Sequence, residues 1–306
     1  MSIFSLLSQK GPTGFGYSST AEDVTAGLSL SGKTILVTGC NSGLGFETMR
    51  VLAARGANVI GAARTLAKAQ AAALKIAGKA TGIECELENL DSVRRSVSTI
   101  KSQGFRLDAI IANAGIMALP KLELIRGLER QFYTNHIGHF ALVTGLLDCL
   151  SPDARVVMLS SDAHKNAPQG GIDFNNLDGR NGYKPWTFYG QSKMANLLFA
   201  KELARRFEGG KRMAFALHPG VINTNLSRNM NPAVVFLLAA VRPLFLKTVP
   251  QGAATQCFCA TSPAVTGLSG NYFADCNVAV PRADANDLAL AKLLWTFSEG
   301  VVAAKV

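Results

Sequence analysis

The sequence contains no apolar run long enough to cross a bilayer, although hydrophobic residues make up 48% of its 306 positions. A helical membrane span is therefore not expected, and the chain reads as soluble or peripherally attached. Its six cysteines, Cys40, Cys85, Cys149, Cys257, Cys259 and Cys276, are scattered, and only Cys257 and Cys259 stand close together. That is neither a disulfide framework nor zinc-ligand spacing, so they read as reduced, buried small hydrophobes and no metal is expected. The opening MSIFSLLSQKGPTG has no basic residue before its short apolar patch and no small-residue cleavage site. A secretory signal is not expected there, which makes the cytoplasm the default compartment. Clustered charge is also scarce. The formal charge is +10, but the basic residues are dispersed and basic pairs such as Arg94-Arg95 stay short. No nucleic-acid partner is expected from that pattern; solvated faces and a phosphate-rich cofactor account for the charge.

What is present is an alternation of short apolar runs with helical spacing. The run KTILVTG, the tract CNSGLG and the segment FETMRVLAARGA read as strand, glycine turn and helix. Gly39, Gly43 and Gly45 have distinct uses: a tight turn, close approach to a diphosphate, and close packing of the helix on the strand. With Asn41, Ser42 and Leu44 they form a candidate cofactor cradle at a helix start, where backbone N–H groups can meet an anion. The second strand, ANVIGAAR, ends in Arg64, and no Asp or Glu lies between Glu47 and Glu84. An arginine at this place pairs with the 2'-phosphate of NADP, whereas a carboxylate would accept from the free hydroxyl of NAD. NADP(H) is the cofactor this predicts.

A helix over 65–78, a strand TGIECEL, a helix from near Leu90 and a strand LDAIIANAG continue the alternation. The fold class expected is α/β: one Rossmann-type doubly wound parallel sheet of about seven strands, with helices on both faces. Asn113, Ala114 and Gly115 close the fourth strand, at the carboxyl end where open parallel sheets bind ligands. RQFYTNHIGHFALVTGLLDCL reads as one long helix holding Asn135, His136 and His139, the histidines being core or interface residues. ARVVMLSS delivers Ser160 and Ser161 at a strand end. Residues 1–30 are expected to form a lead-in arm with one short helix capped at Thr20, before a single domain over 31–306. Within that domain the apolar stretch 234–246, inside an irregular segment 223–250, reads as a substrate lid, a membrane-contacting patch or core. The segments after Gln251 look structural, with Trp295 in the core.

The stretch Tyr189-Gly190-Gln191-Ser192-Lys193 opens a run whose apolar residues, Met194, Leu197, Leu198 and Ala200 among them, follow the spacing of an amphipathic helix. On a helix Tyr189 and Lys193 share a face. An ammonium beside a phenol favours phenolate, so Lys193 is expected to lower the Tyr189 pKa and fit it for proton exchange with an alcohol or carbonyl.

The glycine turn, Asn113-Ala114-Gly115, Asn135, Ser161, the Tyr189 to Lys193 spacing and Pro219-Gly220 occur in one order from about Ser31 to near the C-terminus. Together they resemble the short-chain dehydrogenase/reductase family. The tracts TGCNSGLG, YGQSKMANLLFAKEL, HPGVINTNL and LSGNYFADC look most like its group of retinol dehydrogenases, WW-domain oxidoreductases and light-dependent protochlorophyllide reductases. The opening KGPTGFGYSSTAEDVT is similar to the start of family members associated with the chloroplast protein-import translocon.

The resemblance implies that Tyr189 is the general acid/base and that Lys193 lowers its pKa while holding the nicotinamide ribose. It also implies that Ser161 polarises the substrate carbonyl and that Asn135 supports a water linking the lysine to solvent. Pro219, Gly220 and Thr224 would lie along the nicotinamide. Glu86 and Leu87 stand where relatives carry Asp-Leu to contact adenine. A homodimer or tetramer through the helices bearing Asn135 and Tyr189 is implied as well. The activity expected is NADP(H)-dependent interconversion of a lipophilic alcohol and carbonyl. Light-dependent protochlorophyllide reduction, and a nucleotide-binding regulatory subunit of a membrane complex, are the alternatives.

Overall fold

The computed structural model describes residues 9–222 and 246–304. Helix α1 (Ala21–Val24) precedes β1 (Thr34–Thr38), α2 (Gly43–Ala54), β2 (Asn58–Ala63), α3 (Leu66–Ala73), β3 (Ala80–Glu84), α4 (Leu90–Ser102) and β4 (Leu107–Ala112). A small hairpin, β5 (Leu124–Ile125) and β6 (Leu128–Glu129), leads to α5 (Arg130–Phe132), a π-helical turn (Tyr133–Ile137) and α6 (Gly138–Gly145). Then come β7 (Leu150–Leu159), α7 (Pro185–Arg206), β8 (Met213–His218), α8 (Val249–Thr261), β9 (Tyr272–Ala274), β10 (Asn277–Ala279) and α9 (Leu288–Ala303).

The main sheet runs β10-β9-β8-β7-β4-β1-β2-β3, parallel throughout except for the β9–β10 pair. Burial alternates along its strands, as the two-residue period of a sheet requires. Leu36, Ile60, Ile110, Val156 and Ala214 join the core formed with α4, α6, α7 and α9, while Ile35, Val37, Val59, Ile111, Val157 and Phe215 join the one formed with α2, α3 and α8. Helices therefore cover both faces of a Rossmann-type sheet. The described sheet has eight strands, slightly above the roughly seven expected. The extra edge strand follows a two-residue turn at Asp275 and Cys276, both with positive φ (51° and 64°), a backbone that matches hairpin twist.

Three helices differ from their sequence readings. The helix expected over 65–78 ends at Ala73, after which the chain turns to bury Ile76. The long helix around Asn135 is broken by the π turn and tightens into a 3-10 turn at Leu147–Cys149. Helix α7 is not amphipathic over its middle, because every residue from Phe188 to Ala200 is buried.

That last burial has a specific cause. Trp295 of α9 packs edge-on to Phe140 of α6 and beside Phe199 of α7, at ring-centroid distances of 5.0 and 5.5 Å, while the Arg206 guanidinium stacks on its other side at 3.8 Å. Ser298 meets His136 Nε2 at 2.8 Å. The helices expected to pair two chains thus face this chain's own C-terminal helix, and pairing through those buried surfaces would require α9 to move.

The arm is docked. Thr20 and Asp23 form a reciprocal capping box on α1, and Ala21, Val24 and Leu30 enter the core on the α2 side. Thr13 bonds Asn277 Oδ1 through its backbone N–H (3.1 Å) and its hydroxyl (3.0 Å). No helix among the described residues is long and apolar enough to cross a membrane. Residues 223–245, which include Thr224 and most of the apolar stretch 234–246, lie outside the described residues.

Candidate active site

At the carboxyl end of β1 the chain turns through Gly39 (φ +69°) into the loop that opens α2. A side chain at Gly39 would stand 3.1 Å from Ala114 Cα, and one at Gly45 would run into the Gly39 carbonyl oxygen, so both positions require glycine. Ser42 precedes α2 in extended conformation and its side chain makes no cap hydrogen bond. The first amides of α2 therefore keep their donors for an anion. Asn113 Nδ2 donates to Thr38 O (2.8 Å) and Ala114 N–H to Thr38 Oγ1 (2.9 Å), which ties the end of β4 to the end of β1. These residues fit a dinucleotide diphosphate.

Further along the sheet, Arg64 is exposed at the end of β2. Glu86 lies half-buried near it. Burial and the neighbouring Glu88 push the Glu86 carboxyl up, and the Arg64 and Arg130 charges oppose the shift. The absence of acidic residues between 47 and 84 holds in sequence, but the fold places Glu86 within electrostatic reach of Arg64. Leu87 is buried. At the other end, Pro219 and Gly220 follow β8, and Gly220 (φ +94°) packs on the Lys247 methylenes. Lys247 is itself buried, bonded to Asp275 at 2.5 Å and lying 4.8 Å above the Tyr17 ring.

Between these ends the remaining candidate residues converge. Tyr189 and Lys193 lie one turn apart on α7, both buried, with Lys193 Nζ 5.7 Å from the Tyr189 ring centroid. Ser161, just past β7, accepts from Ala163 N–H at 3.2 Å, and its hydroxyl is near enough to the Tyr189 phenol to oppose the upward shift that burial imposes. Lys193 Nζ donates to Leu159 O at 3.0 Å. Asn135 Oδ1 accepts from Ile116 N–H (2.8 Å) and its amide donates to Ile116 O and Ser192 Oγ (both 2.9 Å). The π turn widens the helix at Asn135, an irregularity often found at functional positions. Gly115 completes the floor: a Cβ there would stand 3.0 Å from Asn135 Oδ1 and 3.5 Å from Lys193 Nζ.

The protonation of this cluster runs against the sequence expectation. Burial pushes the Tyr189 phenol up to about 12, opposed by the Ser161 hydroxyl, and pulls the Lys193 ammonium down to about 8. Lys193 is not what sets Tyr189 here, because desolvation outweighs a charge turned toward the Leu159 carbonyl. At neutral pH the Tyr189 phenol therefore keeps its proton. Ser160, the other candidate hydroxyl, donates to Lys193 O at 2.8 Å and so braces α7 rather than facing a substrate.

Sequence reasoning missed one linked chain. The Asn135 carbonyl can only accept, so His139 Nδ1 carries the proton that reaches it (2.9 Å). His139 Nε2 then accepts from Thr38 Oγ1 (2.9 Å), which in turn accepts from Ala114 N–H. The cofactor loop and the Asn135 turn are joined through one neutral histidine, held so because burial lowers it to about 4. A histidine in an apolar helix carries no local signal of such a partner 101 positions away.

A doubly wound sheet with a glycine cradle and a Ser-Tyr-Lys-Asn cluster at its carboxyl edge defines a nucleotide-dependent oxidoreductase. Comparison with known proteins agrees. The family described as short chain dehydrogenase matches residues 33–234. Short-chain dehydrogenase TIC 32 B, chloroplastic, of Brassica napus is 39% identical over 313 residues, spanning 97% of this chain and 98% of its own. Retinol dehydrogenase 14 of Homo sapiens is 39% identical over 295 residues, spanning 89% and 87%. A crystal structure of an uncharacterized protein from Mycobacterium Paratuberculosis superposes with a TM-score of 0.74 at 34% identity, over 92% of this chain and 97% of that one. The chain belongs to the short-chain dehydrogenase/reductase family, and is an NAD(P)-dependent oxidoreductase of alcohol and carbonyl groups.

Proposed function

We propose that the protein interconverts a lipophilic alcohol and its carbonyl with NADP(H), using Tyr189 as general acid/base. The observation that carries this is the convergence of Ser161, Tyr189 and Lys193, with Asn135 behind them, at the sheet edge that also bears the glycine cradle. A carbonyl oxygen placed between the two hydroxyls would accept from both, and Tyr189 would hand over its proton as negative charge develops on that oxygen. Lys193 and Asn135 form the floor beneath a ribose. Bound there, the nicotinamide would supply the hydride and, when oxidised, a positive charge that favours the phenolate needed for the reverse direction.

Arg64, exposed just after β2, supports NADP(H), since a guanidinium at the end of this strand can pair with a 2'-phosphate. The nearby Glu86 makes the discrimination a matter of charge balance rather than of a lone cation. A lipophilic substrate is supported by the apolar stretch 234–246 and by a relative named for retinol, and the same stretch supports peripheral contact with a membrane. Titration of nicotinamide fluorescence with NADPH and NADH, on wild type and Arg64→Ala, tests the cofactor assignment. NADPH should bind at least about tenfold more tightly than NADH in wild type, and the preference should collapse in the variant. Equal affinities in wild type would remove the argument from Arg64.

A further inference from the structure

The turn 162–168 links the strand that carries Ser161 to the rest of the chain, and it rests directly on the catalytic helix. A side chain at Gly190, next to Tyr189, would stand 2.5 Å from Ala163 O and 2.8 Å from Ala167 N. Nothing larger than glycine fits there, so this turn lies in direct contact with α7 beside Tyr189. Two groups remote in sequence hold it down. His164 is fully buried, with Nδ1 2.7 Å from Ser161 O and Nε2 3.0 Å from Arg282 N. A backbone N–H can only donate, so Nε2 accepts, the ring proton sits on Nδ1, and His164 donates to the Ser161 carbonyl. The Tyr272 ring meets this imidazole edge-on at 5.2 Å and leaves it one orientation.

Arg282 grips the outer side of the same turn. Its guanidinium donates to Lys165 O (3.0 Å), Ala167 O (2.6 Å) and Pro168 O (2.8 Å), and is itself aligned by both oxygens of Asp284 (2.8 and 2.5 Å). Three carbonyls of one turn collected by one planar fork is more than a surface arginine needs for solvation, and a lysine would not reproduce it.

We infer that His164 and Arg282 are positioning residues for the reaction, holding the Ser161 turn against Gly190 so that the Ser161 and Tyr189 hydroxyls meet. The inference rests on the roles given to Ser161 and Tyr189 above. It assigns a mechanistic use to the segment around Arg282, which carries no local motif.

Wild type, His164→Leu, His164→Asn, Arg282→Lys, Ser161→Ala and the double variant His164→Leu/Ser161→Ala provide the test, each first checked for folding by its thermal melt. One readout is single-turnover oxidation of bound NADPH by all-trans-retinal. The other needs no substrate: the resonance of the Tyr189 ζ carbon in carbon-13-labelled protein, followed against pH. His164→Leu and Arg282→Lys should each slow hydride transfer by about tenfold or more, with NADPH affinity within about twofold of wild type. Both should also move the Tyr189 titration upward, because the Ser161 hydroxyl, which opposes the shift, is drawn away. Asparagine can offer an N–H where Nδ1–H stood, and His164→Asn should recover most of both properties. In the Ser161→Ala background His164→Leu should add nothing, since it acts through Ser161. A full additional loss in that background, or folded His164→Leu and Arg282→Lys proteins that match wild type in both readouts, would overturn the inference. If Ser161→Ala itself changes neither readout, the assignment of Ser161 fails instead.

Discussion

Lys193 shows at the residue scale how function and stability pull apart in this fold. Its ammonium is buried with one carbonyl partner, and that carbonyl, of Leu159, also accepts from Asn196 Nδ2 at 3.0 Å. Removing the amine therefore orphans nothing. A lysine whose folded pKa lies near 8, below an ordinary 10.5, destabilises the fold at any pH below about 8, and the penalty fades as pH rises from 8 toward 10.5. Lys193→Met should accordingly raise stability at pH 7 by roughly 1–3 kcal/mol, seen as a higher melting temperature, while hydride transfer is lost. The gain should shrink in melts at pH 9 to 10. A melting temperature below wild type at pH 7 would mean that the amine is satisfied better than its single bond indicates. Tyr189 and Lys193 were legible as a pair from their spacing. Their protonation was not, because desolvation depends on Leu159, Gly115 and the rest of a shell drawn from distant segments.

Single elements were read well where a local pattern suffices and poorly where packing decides. The glycine turn, the α1 cap at Thr20 and the strands β1 to β4 follow from short-range rules. The all-round burial of α7 does not, since it needs α9, which arrives almost a hundred residues later. Trp295 is the centre of that contact, touching Phe140, Phe199 and Arg206. Trp295→Ala should cost about 3–5 kcal/mol in chemical denaturation, the range for deleting a buried large aromatic. It should also expose apolar surface on α6 and α7, visible as self-association in light scattering. A cost under about 1 kcal/mol would show that α9 is loosely held and that the helices beneath it remain open to a partner.

For the whole molecule, the sheet brings to one edge residues from five separate stretches of sequence: the Gly39 turn, the Asn113 strand end, Asn135, Ser161 with its turn, and the Tyr189 helix. Their order along the chain made the family legible. What the order could not show is the bracing between them. His139 joins the Asn135 turn to the cofactor loop, Arg282 grips the turn after Ser161, and Lys247 lies beneath Gly220. None of these three belongs to a local motif, because each acts through contacts with residues far away in sequence.

The central claim, that this cluster performs proton-coupled hydride transfer with Tyr189 as the acid, is tested most directly by Tyr189→Phe. NADPH affinity would be measured by nicotinamide fluorescence and turnover by NADPH consumption with a panel of lipophilic aldehydes and ketones. Phenylalanine keeps the ring and removes only the proton. NADPH binding should stay within about threefold of wild type and turnover should fall by about 100-fold or more. A variant that still turns over at the wild-type rate would contradict Tyr189 as the acid.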